Sequence, residues 1–401
     1  MVAPVGGTAM KPLLISGLSL VSALGDGLEA TRLALHKGHS ALAPCGFEKL
    51  PINAWAGEVH GLDTALPSAF STFDCRNNRL AERALVADGF EQEVARAIAK
   101  YGAHRVGLFT GTSTSGILTT ERAYQAGALP DGFAYAETHN TYALGRFLRA
   151  RLGLTGPGFT LSTACAATAK LFAVAARMMA AGLCDAAVVG GADSFCGTTL
   201  FGFHALGVMA AGPCRPFDEA RTGISIGEAA GFALLERAPE TPAPEALLLL
   251  GTGESSDAYH MSSPDPEGNG AATAMRLALA DAGLAPEAID YINLHGTATL
   301  VGDAAEDKAV SGLFGPGTPR SSAKGFTGHT LGAAGMVGAA VAALAIRHGF
   351  LPGSPHTNRL DAGFAPGHLL TGRPAEVHHV MCNAFGFGGV NCSFILGSAA
   401  P

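Results

Sequence analysis

Short apolar runs alternate with Ala-, Leu- and Arg-rich runs along nearly the whole chain, and few architectures accept that alternation. Leu13–Leu20, Arg105–Phe109, Phe159–Thr163, Asp185–Gly191, Gly227–Glu236, Leu247–Gly251 and Tyr291–Leu294 read as strands. Asp26–Lys37, Arg76 to about Lys100, Thr141–Leu152, Ala166 to Gly182, Ala271–Ala282, Ala304–Phe314 and Thr330–His348 read as helices. Val377–Asn383 and Val390–Leu396 close the chain as a hairpin. Asp185–Gly191 is apolar from Ala186 onward, the pattern of a strand buried on both faces. Strands alternating with helices imply α/β layers with both sheet faces covered. A Pro/Glu-rich break, Ala238–Glu245, separates two halves, 1–245 and 246–401, and no internal repeat is evident.

The most distinctive stretch is Phe159-Thr-Leu-Ser-Thr-Ala-Cys165-Ala-Ala-Thr-Ala-Lys170. It places Cys165 where a strand hands over to a helix. Unpaired N–H groups at a helix start favour thiolate over thiol and can bind an oxyanion. The other reading of Cys165 is a small buried residue used for packing.

Composition bounds the setting. The chain has 401 residues, 48% hydrophobic and 15% charged, and can bury a large core. A net charge of −7, with no Lys/Arg-rich run, argues against a nucleic-acid binder. Eight cysteines show neither a C-x-x-C pair nor zinc-site spacing, so no metal is expected. With no basic, then apolar leader, the expected location is the cytoplasm. Gly325–Ile346 carries no Asp, Glu, Lys or Arg and is long enough to span a bilayer. Its Gly and Ala content and His329 fit a helix packed inside layers better, and no membrane span is expected.

His295 follows the Tyr291–Leu294 strand, and His329 precedes a helix in Lys324-Gly-Phe-Thr-Gly-His-Thr-Leu-Gly-Ala-Ala-Gly335. Strand ends of open α/β sheets face ligand crevices, and a helix N-terminus disfavours imidazolium. Neutral His329 then suits hydrogen-bond donation to a carbonyl; an ordinary structural histidine is the alternative for each. Thr110-Gly-Thr-Ser-Thr-Ser-Gly116 looks like a phosphate cradle but lacks the spacing and lysine of one. The cationic face of Arg76, Arg79 and Arg83 is either an ordinary solvated face or a dock for an acidic partner.

Thr163-Ala-Cys165-Ala-Ala, His295-Gly-Thr-Ala-Thr299, Lys324 with Gly328-His329-Thr-Leu-Gly-Ala-Ala-Gly335, and Gly386-Phe-Gly-Gly-Val-Asn391 resemble the β-ketoacyl-acyl carrier protein synthases, in order and spacing. The resemblance runs from about Leu13 to Leu396. It implies the thiolase-like fold, an α/β architecture of two similar halves stacked as five α-β-α-β-α layers. The histidine pair is similar to that of elongating synthases, since initiating synthases carry Asn in place of the second histidine.

By resemblance, Cys165 is the acyl-carrying nucleophile, and the N–H groups of Cys165 and Phe387 form an oxyanion hole. His295 and His329 donate to the malonyl thioester carbonyl, and Lys324 orients them with Asp303 and Glu306 in support. Thr297, Thr299 and Ser262 contact the pantetheine arm, and Phe203, Thr114 and Phe387 shape the acyl pocket and its gate. Substrates arrive on acyl carrier protein, so no further cofactor is implied. The carrier is acidic, and Arg76, Arg79 and Arg83 are its expected dock. The partner in a dimer is a second copy or a chain-length-factor-like homologue.

Two departures stand out. Elongating synthases usually carry Glu nine residues after the second histidine; here Gly338 stands there, which puts the support of Lys324 in question. The hydroxyl-rich Thr110–Gly116 loop, Arg76-Asn-Asn-Arg79 and Gly253–His260 look more like the synthases of aryl-polyene pigment clusters. The alternatives are a housekeeping fatty-acid elongation synthase and a non-catalytic chain-length factor; the latter would lack the cysteine.

Overall fold

Ten strands pair into one hydrogen-bonded path that divides into two matching fives. In this computed structural model, which describes residues 9–129 and 133–399, they are β1 Leu13–Ser22, β2 Val106–Gly111, β3 Gly158–Leu161, β4 Ala186–Asp193 and β5 Ala229–Arg237, then β6 Leu247–Ser256, β7 Tyr291–Asn293, β8 Arg320–Ser321, β9 His379–Gly386 and β10 Val390–Ser398. The order is β3-β2-β4-β5-β1 in the first five and β8-β7-β9-β10-β6 in the second, the same arrangement. The directions match too. β2 is parallel to β3 and β4 while β4/β5 and β5/β1 are antiparallel, as are their counterparts around β7, β9 and β10. Among the described residues, the pairs Leu13 with Leu249 and Leu14 with Leu248 join the two sheets. The chain therefore repeats itself in topology while its residues show no repeat to the eye.

The helices are α1 Gly27–Lys37, α2 Arg76–Val86, α3 Phe90–Tyr101, α4 Ile117–Ala126, α5 Ala143–Leu152, α6 Ala167–Ala180, α7 Gly197–Ala205, α8 Asn269–Ala282, α9 Leu300–Phe314 and α10 Ala334–His348. α6 touches β2 and β4 of its own sheet and β6 and β10 of the other, and α10 touches β7, β9, β1 and β5. Both are thus sandwiched between the sheets. α2, α3 and α5 cover the outer face of the first sheet, and α8 covers that of the second with α9 against it. This is the five-layer α-β-α-β-α arrangement.

The small residues of Gly325–Ile346 are explained by that central layer. A Cβ on Gly335 would lie 2.3 Å from the Ala169 nitrogen, so α6 and α10 cross in backbone contact. Leu331–His348 is apolar and long enough to cross a membrane by composition, yet most of it is buried between the sheets. Phe172 of α6 stacks on Phe394 of β10 at 4.6 Å, one of many contacts joining the halves. Burying such a side chain contributes about 1.5–3 kcal/mol.

One expected element is corrected. The helical stretch from Arg76 to Lys100 is two helices, broken at Ala87-Asp88-Gly89, where Asp88 has φ 57°. The Asp88 carboxylate accepts the N–H groups of Leu20 and Leu28, and those tertiary bonds hold the break.

Candidate active site

The two central helices enter through matching turns. After β3 the chain passes Thr163, takes Ala164 at φ 49°, makes one tight turn over Ala164–Ala166 and enters α6. After β8 and the His329 loop it passes Thr330, takes Leu331 at φ 53°, makes the same turn over Leu331–Ala333 and enters α10. Left-handed backbone at a non-glycine residue costs about 1–3 kcal/mol and clusters at functional sites. Cys165 and Gly332 occupy equivalent places. The first is the only one of the two with a reactive side chain.

Cys165 is buried, and Nε2 of His329 lies 3.0 Å from its Sγ. The backbone N–H groups of Phe387 and Cys165 are directed at the sulfur. Gly386 permits this approach, because a Cβ there would meet the Thr163 carbonyl at 3.1 Å and the Cys165 nitrogen at 3.2 Å. Burial pushes the Cys165 thiol up to about 11, against the opposing effects of Lys324 and the two N–H groups. The N–H groups at the helix start do favour the thiolate, as the sequence implies, but burial acts the other way and more strongly. Desolvation outweighs the local donors, and the free group is a thiol at neutral pH.

The Leu331 N–H donates to Nδ1 of His329 at 3.2 Å, which leaves the neutral ring its proton on Nε2, facing the sulfur. Lys324 plays the same part for His295. Its Nζ lies 3.4 Å from His295 Nδ1 and donates to the His295 carbonyl, so the His295 Nε2 also carries a proton. Burial first, and the Lys324 charge second, hold both histidines well below their ordinary value. The rings stand 5.4 Å apart and nearly perpendicular. The result is a pair of neutral N–H donors, suited to a developing oxyanion.

Beneath them, Glu306 accepts the N–H groups of His295 at 2.8 Å and Gly296 at 2.7 Å, and a bond from Asn383. Asp303 accepts from Phe217 and Ala298, and burial lifts its carboxyl to about 7. Burial also lowers Lys324 and raises Glu306, each partly countered by the other's charge. At Gly338 a Cβ would meet Asn293 Nδ2 at 3.0 Å, so Asn293 closes the space in which a longer side chain would begin. Lys324 is held by the His295 carbonyl, to which its Nζ donates.

Two cavities share Cys165. One, of about 290 Å³, is lined by His295, His329, Thr297, Thr299, Ser262 and Phe387. Thr297 and Thr299 hydroxyls are 2.9 Å apart, and Thr299 caps α9. The other, of about 440 Å³, is lined by Ser113, Ala164, Thr199, Leu206 and Leu331. Phe203 and Phe387 border both, with ring centres 5.8 Å apart. A nucleophile at the junction of two cavities can hold one reactant while a second enters.

Two expectations for the surroundings fail. Thr114 does not face the cavity. Its hydroxyl and N–H both bind Asp193 Oδ1 at 2.8 Å, and Ser113 lines the wall in its place, with a buried hydroxyl lacking a partner. The cationic face also differs. Arg76 is buried against Glu228 at 2.7 Å and is no surface dock, because a buried carboxylate requires its charge. Arg79 pairs with Asp74 and Arg83 with Asp26, so neither offers an unpaired charge.

Asp193 escaped the sequence reading. It is fully buried at the end of β4 and accepts bonds from Thr112, Ser113 and Thr114 on one oxygen and from Gly332 N–H at 2.6 Å on the other. It ties the cavity loop of one half to the His329 turn of the other. An acid ending an all-apolar strand is the signal that marks it.

The comparisons agree with this geometry. The family "Beta-ketoacyl synthase, N-terminal domain" matches residues 10–241, and "Beta-ketoacyl synthase, C-terminal domain" matches residues 247–358. A 3-oxoacyl-[acyl-carrier-protein] synthase 2 of Coxiella burnetii is 33% identical over 96% of this chain and 98% of its own length. The namesake from Vibrio cholerae is 31% identical over the same shares. Among solved structures, the ketosynthase ApeO of Xenorhabdus doucetiae, in complex with its chain length factor ApeC, is 39% identical with a TM-score of 0.89, covering 97% of this chain and 98% of that one. The ishigamide ketosynthase/chain length factor is 28% identical with a TM-score of 0.86, covering 97% of this chain and 100% of that one. A chain matched by both domain families over most of its length, with a cysteine and two histidines converging on one sulfur, belongs to the beta-ketoacyl synthase family of acyltransferases.

Proposed function

We propose that this synthase holds an acyl group on Cys165 and extends it with a malonyl unit brought by acyl carrier protein, in aryl-polyene or related polyketide synthesis. The observation that carries the reading is Cys165 at the junction of two cavities, with two neutral imidazole N–H groups on the side of the cavity lined by Thr297 and Thr299.

In the first step Cys165 sulfur attacks the acyl thioester, its proton passing to the departing pantetheine sulfur. The N–H groups of Cys165 and Phe387 stabilise the tetrahedral oxyanion. In the second step the malonyl thioester carbonyl accepts from Nε2–H of His295 and His329. The C–C bond to the carboxylate breaks, CO₂ leaves, and the enolate oxygen keeps both donors. The enolate carbon then attacks the acyl carbonyl on Cys165, the C–S bond breaks, and the released Cys165 thiolate takes up a proton from solvent. Thr297, Thr299 and Ser262 line the pantetheine path, and Lys324 keeps His295 in its donating tautomer.

The partner is a second copy or a chain-length-factor-like homologue. β3 ends the sheet path with a half-buried, unpaired edge, which a neighbouring chain can cover. Both ApeO and the ishigamide ketosynthase are described with such a factor. The cytoplasm is the proposed location, in keeping with eight unpaired cysteines.

The pathway rests on the hydroxyl-rich loop. Ser113 of that loop lines the acyl cavity, with its hydroxyl buried toward Gly332. The second reading, housekeeping fatty-acid elongation, is favoured by the relatives' name, 3-oxoacyl-[acyl-carrier-protein] synthase 2. Specificity constants for aryl-polyenoyl and saturated acyl carrier proteins of equal length decide between them. Preference for the aryl-polyenoyl chain supports the pigment pathway, and equal or reversed preference removes it.

A further inference from the structure

We infer that Glu121 is a specificity-determining positioning residue: from α4 it holds the first turn of α7 against the acyl cavity and so governs which chain lengths Cys165 accepts, without touching the chain. The inference rests on the proposed acyl transfer to Cys165 and adds the residue that fixes the wall of its cavity.

α7 forms one side of the second cavity. Thr198, Thr199, Gly202 and Phe203 line it, and Leu206 follows directly after the helix. The helix is thinly anchored. Leu200 is its one buried residue, in an apolar cluster with Leu118 of α4 and Phe195. Phe201 is 44% exposed and Leu206 55%. A wall that buries so little apolar surface takes little of its position from packing.

Side-chain acceptors position it instead. The chain leaving β4 gives its N–H groups to three distant side chains in turn. Ser194 donates to the Thr114 hydroxyl at 3.2 Å and Phe195 to Glu228 at 2.7 Å. Gly197 and Thr198 then donate to the two oxygens of Glu121, at 2.8 and 2.6 Å, and the Thr198 hydroxyl donates there as well. The bonds to Thr114 and Glu228 fix the strand end, whereas those to Glu121 act on the wall itself. A carboxylate at this place satisfies N–H groups that a helix start leaves without partners, and it complements the helix dipole. Glu121 lies outside the lining of both cavities. It stands on α4, which follows directly on the loop that places Ser113 in the same cavity, so one helix fixes two parts of the wall. His295 and His329 belong to the second half of the chain, and none of these bonds involves them.

The test uses the full chain and acyl carrier proteins of increasing length, in the chain type the parent prefers. Glu121→Ala should reduce the preference for the best chain over one two carbons longer by about tenfold, because the loosened wall no longer rejects the extra carbons. Its apparent KM for acyl carrier protein should change more than its kcat. Malonyl carrier protein decarboxylation by Cys165→Gln should be the same with and without Glu121→Ala, since the histidine donors are untouched. Glu121→Gln, which keeps one acceptor oxygen, should fall between parent and Glu121→Ala, and it carries the same test if the alanine variant does not fold. Unchanged chain preference in the folded variants overturns the assignment. Equal loss of acyl transfer and decarboxylation also overturns it, by making Glu121 merely structural. If the parent neither takes up an acyl group nor forms a lengthened product, the underlying functional reading fails instead.

Discussion

The Nε2 of His329 stands 3.0 Å from the Sγ of Cys165, and the Leu331 N–H on its other nitrogen dictates that the proton lies between ring and sulfur. A single residue thus faces both halves of the reaction. In the proposed mechanism it supports the sulfur when the cysteine carries charge and donates to the malonyl carbonyl once the cysteine is acylated.

Burial sets the reactivity of the nucleophile. With the Cys165 thiol pushed up to about 11, only its thiolate fraction reacts, and that fraction grows about tenfold per pH unit below the pKa. Iodoacetamide inactivation should therefore accelerate steadily from about pH 7 to about pH 9 without a plateau, with label on Cys165. A plateau near neutrality would show that the donors around the sulfur outweigh burial. Label mainly on Cys196 or Cys214, which burial also raises to about 11, would show that the wrong cysteine has been assigned.

The histidines act without titrating. In Cys165→Gln both donors remain, so malonyl carrier protein should still lose CO₂. Adding His295→Ala or His329→Ala should slow that loss roughly 10²–10³-fold, the usual cost of one oxyanion donor. Burial and Lys324 hold both rings far below 6.5, so they stay neutral as pH rises through 6–8, and the rate should show no inflection near 6.5. Unchanged decarboxylation in both variants would falsify the two-donor arrangement.

Asp193 is a positioning residue. Asp193→Ala strands the Ser113, Thr114 and Gly332 N–H groups at once, each costing about 1–3 kcal/mol when buried without a partner. The variant should melt at lower denaturant. At temperatures where it stays folded, both acyl transfer to Cys165 and decarboxylation in the Cys165→Gln background should fall. Asp193→Asn, which keeps an acceptor oxygen, should recover part of both rates. A drop in stability with both rates intact would make Asp193 merely structural.

Ser113 lines the second cavity beside Cys165, while Thr114 is turned to Asp193. Ser113→Phe should fill part of the acyl cavity and shift products shorter, read by mass spectrometry of released chains. Thr114→Val should lower the denaturant midpoint and leave product length alone, because its hydroxyl serves Asp193. The reverse pattern would return Thr114 to the cavity wall.

The contrast between Cys165 and Thr114 shows what the sequence conveys. Cys165, His295 and His329 sit at strand or helix ends, where local pattern and motif spacing reveal both the element and the direction it faces. Thr114 and Arg76 lie in similarly readable segments, but their orientation is decided by Asp193 and Glu228, which are 79 and 152 residues away. Such partners leave no periodic trace. The topological repeat was equally silent. The paired turns at Ala164 and Leu331 have matching backbones while one carries Cys165 and the other Gly332, so shared geometry leaves little shared sequence. The break at Asp88 lay within a continuous helical pattern, and only its bonds to Leu20 and Leu28 made it a stop.

Intact-mass analysis of the carrier protein after incubation with this chain, acyl carrier protein and malonyl carrier protein tests the central claim most directly. The account predicts a transient acyl adduct on Cys165, then a carrier bearing the acyl chain lengthened by two carbons with a keto group, with one CO₂ released per product. Acetyl carrier protein alone, or free acid with no lengthened chain, would contradict it.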